Sequence, residues 1–174
     1  MTGSKQQEPF LALIDEHRKI LFKVAGSYAR EPADREDLVQ EMVLQMWRSF
    51  EHYDPSQRFS TWMYRVALNV AISFYRRETR RNRVILSGDE TLVELAATPD
   101  AHEMQEDLAT LRRMIEDLDD FDRALVILYL DGHSHAGIAE VLGISESNVG
   151  TKLGRIKQQL RTQYAGKEKH HGAR

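Results

Sequence analysis

A chain of 174 residues holds one medium domain or two small ones, and 29% charged against 41% hydrophobic residues describes soluble globular material. The absence of cysteine excludes a disulfide framework and a thiolate metal site, and suits a reducing cytoplasm. The formal net charge of −3 argues by itself against a nucleic-acid protein, so the distribution of charge has to decide.

The chain opens MTGSKQQEPFLALIDEHRKI, which puts Asp15, Glu16 and His17 where a signal peptide needs an apolar core. Export is therefore not expected, no membrane insertion is expected either, and the predicted location is the cytoplasm. Phe10, Leu13, Ile14, Leu21, Val24 and Tyr28 recur at helical spacing. Pro32 then suits the first turn of a second helix, in which Leu38, Met42, Val43, Met46, Trp47 and Phe50 form a wide apolar stripe. Asp34, Glu36, Asp37, Gln40, Glu41 and Gln45 fill its polar side. After the loop EHYDPSQRFS, Ser60 or Thr61 is expected to cap a third helix with Met63, Val66, Ala67, Val70 and Phe74 facing inward. Around this loop Tyr53, Arg58, Phe59, Trp62, Tyr64 and Arg65 combine ring faces for unstacked bases with cations for phosphates. The competing reading is that Trp47, Phe59 and Trp62 are simply core.

Charge is segregated beyond this point. Arg76, Arg77, Arg80, Arg81 and Arg83 form a basic run broken only by Glu78 among its charges, whereas Val84 to Leu111 contains no Lys or Arg and holds Asp89, Glu90, Glu94, Asp100, Glu103, Glu106 and Asp107. With Gly88, Pro99 and weak periodicity, residues 84–107 read as a flexible acidic linker between two small helical domains. Basicity returns at Lys152, Arg155, Lys157 and Arg161, so a phosphate backbone could be held at two separate places.

The stretch GHSHAGIAEVLGISESNVGTKLGRIKQQL has the spacing of a helix-turn-helix. Ser134 can cap a short helix with Ile138, Ala139 and Leu142 inward, and Ala139 is small enough for a close crossing. Gly143 supplies the positive φ of the turn, and Ser145 caps a second helix with Val149, Leu153, Ile156 and Leu160 inward. That helix would expose Glu146, Ser147, Asn148, Thr151, Lys152 and Arg155, a polar face suited to a major groove. A plain helical hairpin has the same periodicity, but the small, glycine and branched positions coincide here with a basic outer face.

DLVQEMVLQMWRSF, then RFSTWMYRVALNVAISFYRR, then LDDFDRALVILYLDGHSHAGIAEVLGISESNVGTKLGRIKQQL resemble, in that order, the two domains of extracytoplasmic function (ECF) RNA polymerase sigma factors of the sigma-70 family. The resemblance implies an all-α chain with a region 2-like domain at 1–83, the linker at 84–107, a region 4-like helix-turn-helix at 108–165 and a disordered tail at 166–174. It implies a non-enzymatic initiation subunit, without cofactor, that binds core RNA polymerase, reads the minus-35 element as duplex and melts the minus-10 element. By position, Asp37, Leu38, Gln40, Glu41, Leu44 and Trp47 would grip the clamp helices of β′, and the second domain would meet the β flap. Tyr53, Arg58, Phe59, Trp62 and Asn69 would hold the minus-10 strand, with Asn69 near a flipped base and Arg76, Arg77, Arg80 and Arg81 on phosphates at the upstream edge. Ser147, Asn148, Thr151, Lys152, Arg155 and Lys157 would take the minus-35 duplex. An anti-sigma factor or a regulatory kinase would be the controlling partner.

The sequence departs from the family pattern at several places. Gly150 stands where a Lys or Arg is common and Gly154 replaces a larger side chain, and each glycine costs about 1 kcal/mol inside a helix. Asp119 and Asp120 take the place of a Leu-Pro pair, and Gly137 replaces an acidic residue. Two other classes compete with this reading. A repressor or response-regulator output module would explain the helix-turn-helix but not the aromatic loop. A metal-dependent hydrolase would draw on His133, His135, His170 and His171, yet these lack a carboxylate at ligand spacing, and no metal is expected.

Overall fold

A computed structural model describes residues 3–86 and 103–171, with side chains placed for 7–81 and 109–165. In chain order the elements are α1 (Gly3–Tyr28), α2 (Pro32–Ser49), a single 3₁₀ turn (Phe50–His52), α3 (Phe59–Leu86), α4 (Glu103–Glu116), α5 (Asp120–Leu130), α6 (His135–Leu142) and α7 (Glu146–His171). The described residues contain no strand. None of their helices is long and apolar enough to cross a membrane.

Local chemistry sets most of the helix ends. Pro32 opens α2, with Asp34 in its first turn and Arg48 in its last, each sign matched to the helix dipole. Asp119 caps α5 by accepting from the Asp122 N–H, and Ser134 caps α6 by accepting from the Gly137 N–H. Gly143 closes α6 at φ 68°, the left-handed conformation in which its missing Cβ removes the penalty. The Ser145 hydroxyl then accepts from the Asn148 N–H at 3.2 Å, opening α7.

Four expectations about boundaries and facing need correction. Helix α3 begins at Phe59, ahead of both Ser60 and Thr61, because the Arg58 carbonyl accepts from Thr61 N and Trp62 N at 3.1 and 3.3 Å. The stretch bounded at 84–107 is helical at both ends, since NRVIL meets no breaker before Gly88 and Glu103 onward is rich in helix formers. Its middle, with Gly88, Pro99 and most of the acidic residues, lies outside the described residues. Residues 166–171 continue α7, as one glycine and no proline interrupt the run, whereas 172–174 lie outside the described residues. In α6 the buried partner of Ile138 is Val141, while Leu142 is only half-buried.

The first three helices pack on one another around Phe10, Leu21, Val24, Leu38, Met42, Met46, Met63, Tyr64 and Leu68. Ala67 and Ala71 are fully buried on α3, where a methyl lets neighbouring backbones come close. The last four helices enclose Leu125, Leu128, Ile138, Val149 and Leu153, with a satellite cluster of Leu118, Val126 and Ile156. These are not two separate cores. Helix α3 also touches α5 and α6, α1 touches α5, and one apolar cluster runs continuously from Phe10 to Leu153.

Candidate nucleic-acid interface

Helix α2 turns Leu38, Met42 and Met46 wholly inward. Its outer face carries exposed Asp37, Gln40 and Glu41 beside Leu44, 48% exposed, and Trp47, 37% exposed. The Trp47 ring is braced edge-on against Phe10 at 5.1 Å, so the indole is held in place while part of it stays uncovered. Leu38, expected on this outer surface, is completely buried; its spacing from Met42 and Met46 places it on the core stripe and under the carboxylates.

The loop after α2 closes on an aromatic cluster. Tyr53 lies nearly parallel to Phe50, with centroids 5.9 Å apart, and meets Phe59 and Trp62 at 5.4 and 5.2 Å. Its hydroxyl donates to the Gln57 carbonyl at 2.8 Å. Phe59 and Trp62, expected on the nucleic-acid surface, are buried at 6% and 9% exposure; mutual ring packing satisfies them, and they shape the loop from beneath. The loop is tightened again at Asp54, whose carboxylate accepts from the Ser56 N–H at 2.9 Å, and this bond holds its pKa below the usual carboxylate value. Arg58 remains exposed.

Along α3, Asn69 is exposed at the mouth of a cavity of about 340 Å³ that also meets Arg65, Arg76, Phe121 and Glu140. Arg65 donates to the Glu140 carbonyl at 2.7 Å. Arg76 donates to the Asp120 carboxylate, which holds the guanidinium pKa above its ordinary value. Arg77 pairs with Glu41 of α2 at 2.9 Å, Arg81 lies 3.8 Å from Glu78, and Arg80 is exposed.

On α7, Ser147, Asn148, Thr151 and Arg155 are exposed on one side, and the Thr151 hydroxyl donates to the Ser147 carbonyl at 3.0 Å. The two lysines behave differently. Lys152 donates to Asp122 at 3.0 Å and lies 5.2 Å from the Phe121 ring centroid. Lys157 donates to the Tyr129 hydroxyl at 2.9 Å and sits 4.1 Å from its ring centroid. Both are folded back on α5, leaving Arg155 as the outward cation among the minus-35 candidates.

Sequence reasoning missed the residues that join the halves. Arg123 is 3% exposed, donates to the carbonyls of Glu116, Leu118 and Ser27, and lies 5.2 and 4.5 Å from the ring centroids of Tyr28 and Tyr75. The Tyr28 hydroxyl donates to the Asp120 carbonyl at 2.6 Å. Asp131 receives both Lys23 and the Tyr64 hydroxyl, and His133 stands edge-on to the Tyr64 ring at 5.1 Å. Burial pushes the Tyr64 phenol up to about 12. The same burial, reinforced by Lys23, holds the His133 pKa below the ordinary imidazole value. Exposed Phe22 and Leu130, with Leu111, line a groove of about 540 Å³ between α1, α4 and α5. Only the unusual Asp119-Asp120 pair signalled any of this in the sequence. The other contacts join residues far apart in the chain and leave no local pattern.

Comparison with known proteins bears on both halves. Residues 13–81 match Sigma-70 region 2, and residues 108–160 match Sigma-70, region 4. RNA polymerase sigma factor CnrH of Cupriavidus metallidurans is 30% identical over 91% of this chain and 87% of its own length. ECF RNA polymerase sigma factor SigL of Mycobacterium tuberculosis is 32% identical over 86% of this chain and 85% of its own. Among solved structures, CnrH in complex with the cytosolic domain of CnrY superposes with a TM-score of 0.67 at 23% identity, covering 94% of this chain and 92% of that one. The sigma factor RpoE in complex with the anti-sigma factor NepR from Bartonella quintana gives 0.61 at 19% identity, covering 90% and 94%.

Proposed function

From the premise that this chain belongs to the ECF sigma factors of the sigma-70 family, a non-enzymatic RNA polymerase subunit directing promoter-specific initiation, we propose how its surfaces divide that work. Residues 1–83 form the domain that binds core polymerase and opens the minus-10 element, and residues 108–165 form the domain that reads the minus-35 duplex and meets the β flap. The outer face of α2, with Asp37, Gln40, Glu41, Leu44 and Trp47, takes the β′ clamp helices, and Leu38 supports it from below. One observation carries this assignment: α2 keeps two large apolar side chains uncovered beside a row of acidic and amide groups, the composition of an interface core and its rim.

The minus-10 strand runs over the loop and α3. Asn69 reads a flipped base, the Tyr53, Phe59 and Trp62 cluster gives the loop its shape, and Arg58, Arg76, Arg77, Arg80 and Arg81 hold phosphates. On α7, Ser147, Asn148, Thr151 and Arg155 face base edges, while Lys152 and Lys157 contribute positive potential from the flanks. An anti-sigma protein is the controlling partner, in keeping with the complexes formed by CnrH and RpoE, and the groove lined by Phe22, Leu111 and Leu130 offers such a partner exposed apolar side chains. Its place of action is the cytoplasm.

The polymerase assignment is tested by titrating purified core enzyme with the Asp37→Ala, Gln40→Ala double variant. Core affinity is expected to fall while urea unfolding stays cooperative and unshifted, and an unchanged affinity removes this face of α2 from the contact. For the minus-10 assignment, Asn69→Ala is expected to reduce permanganate reactivity of the opened thymines without changing duplex binding by the second domain.

A further inference from the structure

Gly150 lies on the flank of α7, one residue before Thr151 and three after Ser147. A Cβ placed there would meet the imidazole of His135 at 3.7 Å from Nδ1 and 3.8 Å from Cε1. The first side chain of α6 therefore lies across bare backbone of α7, in the space that a residue at position 150 would use to leave the helix. Both distances would be ordinary van der Waals contact, so a methyl at 150 would fit beside the ring, while a longer side chain leaving in that direction would meet it. His135 is exposed and, among the described residues, makes no hydrogen bond or ion pair. Of the first four N–H groups of α6, Gly137 donates to the Ser134 hydroxyl and Ile138 to the Ser134 carbonyl, which leaves those of His135 and Ala136, together with the His135 ring, as the donors at this corner. When a helix-turn-helix seats its second helix in the major groove, its first helix crosses the sugar-phosphate backbone.

We infer that His135 is a DNA-contacting residue of this protein: its ring N–H donates to a phosphate oxygen flanking the minus-35 element, and position 150, being glycine, sends no long side chain across it. The inference rests on the assignment of α7 to the minus-35 duplex. It places the contact that a long basic side chain at 150 would make on a different helix, through an imidazole N–H. A phosphate contact fixes register and orientation and carries no sequence preference of its own. The donor's identity matters less than its position, so a side-chain amide at 135 should serve nearly as well.

The full chain assembled with core polymerase is the material to test, on a duplex selected from a random-sequence library by that holoenzyme and on a scrambled duplex of the same composition. His135→Ala is expected to weaken binding about fivefold on both duplexes, the loss of one hydrogen bond. His135→Gln should recover most of it, and Gly150→Ala, which adds only ordinary contact, should bind as the parent does. Ethylation interference on the selected duplex should show one phosphate that matters to the parent and not to His135→Ala. Parent-like binding by His135→Ala overturns the inference, and so does a loss confined to the selected duplex, which would mean base reading. Arg155→Ala runs alongside: if it also binds as the parent, the assignment of α7 has failed, whereas a loss there with none at His135 refutes the histidine contact alone.

Discussion

The two candidate DNA surfaces of this chain differ in what already occupies them. On α3, Arg76 is committed to Asp120, Arg65 to the Glu140 carbonyl, and Asn69 borders a cavity walled by α6. On α7, Ser147, Asn148, Thr151 and Arg155 are exposed, and the flanking lysines and the Thr151 hydroxyl are engaged with residues of the same domain. A duplex can approach the second surface as it stands. On α3 the partners of Arg65 and Arg76 belong to the second domain, so on the proposed assignment a single strand would reach those two cations only once these contacts had opened.

The sharpest way to break this comparison is to remove what holds the halves together. Arg123→Ala leaves three carbonyls without their donor and strips the cation from between two tyrosine rings, so it is expected to cost about 3 kcal/mol in urea unfolding. Loss below about 1 kcal/mol would show that water replaces these bonds freely. Next in size, Arg155→Ala should weaken binding to a selected minus-35 duplex by about 2 kcal/mol with little effect on a scrambled one. Equal losses on both would show that this cation positions the helix and reads nothing. Lys157→Ala, whose cation leans on Tyr129, should weaken both duplexes alike and reduce the salt slope by about one unit at most.

Smaller effects sharpen the same contrast at Asp131. Asp131→Asn loses the ion pair with Lys23, a partly exposed bridge worth about 1 kcal/mol at most after solvent screening, and should lengthen the distance between donor and acceptor dyes placed on α2 and α7. An unchanged distance distribution would mean that the apolar contact suffices. Acid should loosen the same contact. His133 packs against Tyr64 with its pKa held low by burial and by Lys23, so the separated chain takes up a proton that the packed chain refuses. The packing is therefore at full strength above the ordinary histidine value of about 6.5 and weakens as pH falls below it. His133→Gln should flatten that dependence between about pH 7 and the lower folded value, read by the same dye pair.

What could be read from the sequence was what local chemistry determines. Ser134, Gly143 and Ser145 specify the turn between α6 and α7 within a dozen residues, and each does in the structure what its side chain, or lack of one, dictates. Regular apolar spacing gave the stripe of α2 and left Leu44 off it, whereas the family resemblance put Leu38 on the contact surface although its spacing from Met42 and Met46 buries it. The rings at 53, 59 and 62 were legible as a cluster and not as a buried one, since composition alone leaves a stacking platform and a small core indistinguishable. The joint between the halves was invisible. It consists of single contacts such as Tyr28 to Asp120, set by the three-dimensional course of the chain, and Asp119 and Asp120 looked only like missing helix-openers until one was seen to cap α5 and the other to receive Arg76.

Arg123 has a further consequence for how readily the halves can part. Two of its three acceptors, the carbonyls of Glu116 and Leu118, belong to its own half, and only Ser27 and the two tyrosine rings belong to the other. If the domains separate, the guanidinium stays clasped to the end of α4, gains water on the side it had turned to the rings, and is never left as a bare charge in an apolar cleft. Its Nε, which has no partner in the packed state, is free to be hydrated at that moment. A buried cation whose one hydrogen bond across the joint is to Ser27 would thus have its solvation restored when the halves part, which favours a reversible clasp over a permanent seam.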